Sequence, residues 1–162
     1  MKIFFLPIFL LACFSASFAQ SNCTIKKAYA YYNVSMPGAQ MADENGNPIP
    51  PKPIITRIIY VEYSGSKMPK IESVLYNNIA LNYNVMKINA KTISIGYKKL
   101  NPGNIIKAKK GNSLLQIDLQ PFEGKTMPEI NCKNIIIKSK AGGKLCRFFL
   151  GSEKEFVTAP SY

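Results

Sequence analysis

Apolar and polar positions alternate along most of this chain, and they do so in short runs. The densest run is 54–63, IITRIIYVEY, where β-branched and aromatic residues occupy both parities. That composition suits a strand with both faces covered. Residues 23–34, CTIKKAYAYYNV, place Ala28, Ala30, Tyr32 and Val34 on one parity and Tyr29 and Tyr31 on the other. Further strands are expected over 70–76, 79–88, 92–98, 105–108, 113–119, 133–139 and 145–150. Asn77-Asn78 between two of them predicts a tight turn, because Asn tolerates the left-handed conformation. Lys110-Gly111-Asn112 and Ala141-Gly142-Gly143 are expected to turn two more hairpins.

About nine short strands with turn chemistry at near-regular intervals, and no helical period, predict an all-β fold. We expect one domain over 20–162, a β-sandwich of immunoglobulin-like architecture. The chain contains no Trp, so the cysteine–tryptophan signature of true immunoglobulin domains is absent. Residues 35–53 read as a long Pro/Gly-rich loop, and loops of that length are usually functional or mobile. Residues 153–162 read as a C-terminal tail.

The first residues break the alternation. MKIFFLPIFLLACFSASFAQ has Lys2, an apolar stretch, and small residues at Ser17 and Ala19. It reads as a cleaved signal peptide, 1–19, and is too short and poorly flanked for a good membrane span. Leu10-Leu11-Ala12-Cys13 is the competing signal, a lipoprotein box that would lipidate Cys13, but the apolar stretch before it is short. The expected product is exported to the periplasm, cell surface or extracellular space, with no transmembrane segment in the mature chain.

Export changes the reading of the cysteines. Cys13 leaves with the leader, so Cys23, Cys132 and Cys146 remain in a compartment where disulfides persist. A two-residue turn at Gly142-Gly143 opposes Ser139 to Cys146 and Cys132 to Glu153. Cys132 and Cys146 are then offset along the hairpin by roughly 20 Å. A disulfide needs Cα atoms within about 7 Å. We therefore expect Cys23 to bridge to the C-terminal hairpin, with Cys146 preferred because it lies within a strand. Cys132 is the alternative partner or the free thiol. The competing arrangement is an interrupted hairpin in which Cys132 folds back from the preceding loop.

Charge adds a partner class. The chain has 21 Lys+Arg against 9 Asp+Glu, a net +12, or +11 once Lys2 is removed. An anionic envelope polymer, a glycan or another envelope protein fits that excess, although Lys-rich composition alone also produces it. Arg57 and Arg147 are the only arginines, so the paired forks that read bases are scarce and sequence-specific nucleic-acid binding is not expected. Tyr29 and Tyr31 with Lys98, Lys99, Lys109 and Lys110 are the candidate binding surface, tyrosine offering stacking faces and lysine meeting acidic groups.

Catalytic signals are sparse. The chain has no His, which removes His-dependent triads and His-based zinc sites. Ser64-Gly65-Ser66-Lys67 matches S-x-x-K without its companion motifs. Asp43-Glu44-Asn45-Gly46-Asn47 resembles the start of a calcium loop, with its glycine misplaced and no closing Glu. No cofactor or metal is expected. The sequence therefore points to an exported, non-catalytic binding or accessory module of the cell envelope. One alternative is a hydrolase whose carboxylate pair is assembled from distant strands among Glu62, Glu72, Asp118, Glu123 and Glu129. The other is a structural subunit that adds an edge strand to a partner.

Overall fold

A computed structural model describes residues 23–36, 38, 41–50, 52–96, 104–130 and 132–157. The expected leader, Cys13 included, lies outside the described residues, as do Lys98 and Lys99. The described chain is all-β. Its strands are β1 (Ile25–Ser35), β2 (Met41–Ala42), β3 (Pro48–Ile49), β4 (Ile54–Ser64), β5 (Lys70–Tyr76), β6 (Ile79–Ile88), β7 (Thr92–Ser94), β8 (Ile105–Lys107), β9 (Asn112–Gln120), β10 (Ile135–Ala141), β11 (Lys144–Leu150) and β12 (Glu153–Glu155).

Eight of them form one sheet, in the order β11-β10-β5-β6-β9-β4-β1-β12. A sandwich calls for two sheets; here β6 joins both halves of a single one. Its first residues pair with β5 and the remainder with β9. The sheet curls until its two ends meet, giving a barrel-like form. Gly151-Ser152 separates β11 from β12, so one chain segment pairs with β10 at one end and with β1 at the other.

Local chemistry explains the hairpins. Asn77 and Asn78 turn β5 into β6 with φ of 47° and 67°, the left-handed values that Asn accepts more readily than most residues. Gly142 and Gly143 turn β10 into β11 at φ 57° and 81°, and Ser139 opposes Cys146 as a two-residue turn requires. The 35–53 segment contains the small β2–β3 hairpin. Asp43 Oδ1 accepts the amides of Asn45 and Asn47 at 2.9 and 2.8 Å, and Oδ2 accepts the Asn47 side chain at 3.1 Å. Those bonds hold the Asp43 carboxyl below its ordinary range. This is a side-chain-stabilised polar turn.

Two apolar clusters hold the sheet. The interior one includes Ile59, Val61, Val74, Ile117, Ile135 and Ile137, all fully buried. The second lies on the outer face, where Ile95 and Ile106 from the β7–β8 segment cover Tyr31 and Leu114, and Phe156 completes the cluster. Residues 92–94 form β7, a shorter strand than the expected 92–98. Gly96 follows at φ 68°, and 97–103 lie outside the described residues.

Candidate functional site

The ends of the sheet meet along a seam between β1 and the β11–β12 segment. Cys23 is disulfide-bonded to Cys146, Cα atoms 5.8 Å apart and 123 residues distant in sequence. At the other end Ala30, Tyr31 and Tyr32 pair in parallel with Glu153, Lys154 and Glu155. Ala30 and Glu153 are also separated by 123 positions, so one parallel register runs the length of the seam. Between the two ties a groove of about 410 Å³ opens, lined by Lys26, Lys27, Tyr29, Phe148, Phe149 and their neighbours. A smaller one of about 110 Å³ adjoins it beside Tyr29, Tyr31 and Lys154.

The lower tie is reinforced from within. Arg57, on β4, is fully buried. Its Nε donates to Glu153 Oε2 at 2.8 Å and its Nη2 to Oε1 at 3.1 Å. Nη1 and Nη2 also donate to the carbonyls of Pro128 and Glu129 at 2.9 and 2.7 Å. The guanidinium carbon sits 5.0 Å from the Tyr76 ring centroid, within cation–π range. Glu153 Oε1 accepts the Cys132 amide at 3.3 Å. One ion pair thus joins β4, β12 and the segment before β10.

Cys132 is a free, buried thiol beside this pair. Burial pushes its pKa up, the Glu153 charge adds to the shift, and Arg57 opposes it. Its Sγ donates to the Glu129 carbonyl at 3.2 Å. A buried thiol held in its protonated form is a poor nucleophile. Burial also raises the Tyr76 hydroxyl well above its ordinary value, with Glu153 contributing.

Three of the five carboxylates weighed for hydrolysis, Glu62, Glu72 and Asp118, have separate engagements. Glu62 is buried on the outer face, where its Oε1 accepts the Lys109 amide at 3.0 Å and the Asn112 side chain. Burial works against its ionisation, but those hydrogen bonds, with the charges of Lys27 and Lys109, hold its pKa below the ordinary value. Glu72 is partly buried between Lys70 at 3.3 Å and Lys140 at 3.7 Å. Asp118 accepts from Gln116 at 2.7 Å. Among the described residues no group of three His, Cys, Asp or Glu side chains is placed to hold a metal ion, and no helix is long and apolar enough to cross a membrane.

The candidate contact residues separate. Tyr29 is half-buried in the seam. Tyr31 is only 4% exposed; it packs edge-on against Tyr60 and Phe156, with centroids at 6.2 and 6.4 Å. Its ring is a packing element. Lys109 and Lys110 are exposed in the turn before β9.

A surface not singled out from the sequence lies on the outer face of β5, β10 and β11. There Phe149 opposes Ile136, which opposes Leu75, making an apolar row across three strands. In the next row Arg147 stands directly opposite Lys138, itself opposite Ser73. Like charges placed directly across a sheet repel. Among the described residues neither cation meets an acidic partner. Leu145 is 52% and Phe149 64% exposed. Among the described residues no further strand packs over this half of the outer face, whereas the β7–β8 segment covers the other half. Comparison with known proteins finds no matching family model, no matching curated protein and no matching solved structure.

Proposed function

We propose that this protein is an exported, non-catalytic binding module of the cell envelope, and that its partner is anionic. The observation that carries the reading is the bare outer face of β5, β10 and β11. Among the described residues its like-charged Lys138–Arg147 pair is unmatched by acidic groups, and an anionic partner would relieve the repulsion. The signal-type leader and the Cys23–Cys146 disulfide support export, because such bonds persist in oxidising compartments. The engagement of Glu62, Glu72 and Asp118 in separate local contacts favours binding over a carboxylate-pair hydrolase. Residues 153–155 already pair in parallel with the chain's own β1, which weighs against their serving as a free tail that adds a strand to a partner.

The test is retention on the envelope fraction of the producing cell, measured by sedimentation over a range of ionic strength. Retention at low salt that declines as salt rises is the expected result. A protein that stays in the supernatant at low ionic strength overturns the proposal.

A further inference from the structure

The outer face of β5, β10 and β11 narrows the anionic partner to one class. Side chains on one face of a strand recur every second residue, roughly 7 Å apart. On β11 that face carries Leu145, Arg147 and Phe149, so a guanidinium stands between two exposed apolar groups. Lys138 stands opposite the guanidinium, and Lys140 opposes Leu145. Lys26 and Lys27 extend the cationic rim across the seam, where both share a groove with Phe149. The acidic group identified on this face is Glu72, already engaged with Lys70 and Lys140.

An anionic polymer would satisfy the cations and leave Phe149 and Leu145 in water. A surface with phosphates above hydrocarbon accommodates both kinds of group at once. Most of the cations are ammonium groups on flexible stems, which suit a field of mobile headgroups better than a fixed set of carboxylates.

We infer that this face docks on an anionic lipid surface, with Phe149 and Leu145 entering the interface and Arg147, Lys138 and Lys26 meeting lipid phosphates. The inference rests on the anionic-partner reading above and specifies the partner.

The experiment is co-sedimentation of the oxidised protein with phosphatidylcholine vesicles prepared with and without phosphatidylglycerol. Binding only to the phosphatidylglycerol vesicles, weakening with salt, is expected. Arg147→Glu converts the repulsive pair with Lys138 into an attractive one, so it should raise thermal stability while lowering vesicle partition by about 30-fold. Loss of fold would therefore be visible as a separate effect. Joint Leu145→Ser and Phe149→Ser replacement should lower partition about tenfold without altering net charge. Lys110→Glu, with the same charge change as Arg147→Glu but in the turn before β9, should leave partition within about threefold of the parent.

Equal losses for Lys110→Glu and Arg147→Glu would mean that net charge alone drives binding, and would overturn the inference. So would unchanged partition after loss of Leu145 and Phe149. Absence of vesicle binding by a protein that still sediments with the envelope fraction would overturn the lipid inference and leave the anionic-partner reading standing. Absence of both would overturn the two together.

Discussion

Replacing Glu153 by Ala should be among the most damaging single changes in this protein. The carboxylate receives two bonds from Arg57 and one from the Cys132 amide. Without it the Arg57 guanidinium remains fully buried with two carbonyls and the Tyr76 ring as its remaining partners. Removing one partner of a buried ion pair costs about 3–5 kcal/mol, because the other charge stays desolvated and unpaired. Domains of this size are stable by about 5–15 kcal/mol, so the loss is a large fraction of the total. Urea unfolding of the oxidised protein, followed by far-ultraviolet circular dichroism, should show the midpoint falling by roughly 2 M if m is near 2 kcal/mol/M. The double variant Arg57→Met/Glu153→Leu removes both charges and should cost less than Glu153→Ala alone. Hydrogen exchange adds a local reading: the Phe156 amide, bonded to the Tyr32 carbonyl at 2.9 Å, should lose protection as β12 detaches. A cost below about 1 kcal/mol for Glu153→Ala, or a double variant less stable than this single one, would refute the reasoning.

Reduction of Cys23–Cys146 should destabilise the protein by about 4–5 kcal/mol in the chain-entropy account of a closure this long. Calorimetry with and without reductant should find the melting temperature lower by on the order of 10 °C; an unchanged melting temperature would contradict the staple's role. Cys132 should resist alkylation in the native, oxidised protein and react on unfolding; rapid labelling in native buffer, read by intact mass, would count against its burial. Glu62→Gln should lower stability at pH 7 and lessen its loss in acid. The folded pKa of Glu62 lies below the unfolded value near 4.5, so its contribution is fully present above that pH and is lost as pH falls through the folded pKa. Urea midpoints at about pH 7 and pH 3 measure the difference, and an equal effect at both would rule out this linkage.

Local chemistry made much of the fold legible. The runs at 54–63, 70–76 and 79–88 became β4, β5 and β6 with little change at their ends. Asn77-Asn78 and Gly142-Gly143 turned where expected. The register that opposes Ser139 to Cys146 also opposes Arg147 to Lys138 and Phe149 to Ile136, so part of the bare face was implicit in the hairpin. The charge of Lys138 or Arg147 alone does not reveal the face; only their pairing across strands does. β12 was missed for a different reason. Glu153–Glu155 has no apolar alternation, and pattern reading assigns a carboxylate to solvent. Arg57 and Glu153 are inward-facing because each neutralises the other across 96 residues, a relation no local window contains. Closure of the sheet is nonlocal in the same way.

The odd number of strand positions around the sheet accounts for the seam. β10, β5, β6, β9, β4 and β1 succeed one another in antiparallel pairs, and β11 continues that alternation beyond β10. With the β11–β12 segment as the seventh position, alternation leaves it parallel to β1 where the ends meet, as observed for β12. Parallel pairing is slightly weaker per residue, and Gly151-Ser152 interrupts it. A covalent tie at Cys23–Cys146 and a buried ion pair at Glu153 reinforce the two ends, while the groove occupies the interval between them. An exposed strand edge invites pairing with other chains. The two ties hold β1 alongside β11, whose outer face points away from the seam. The β10–β11 register meanwhile places Leu145, Arg147 and Phe149 together on that exposed face.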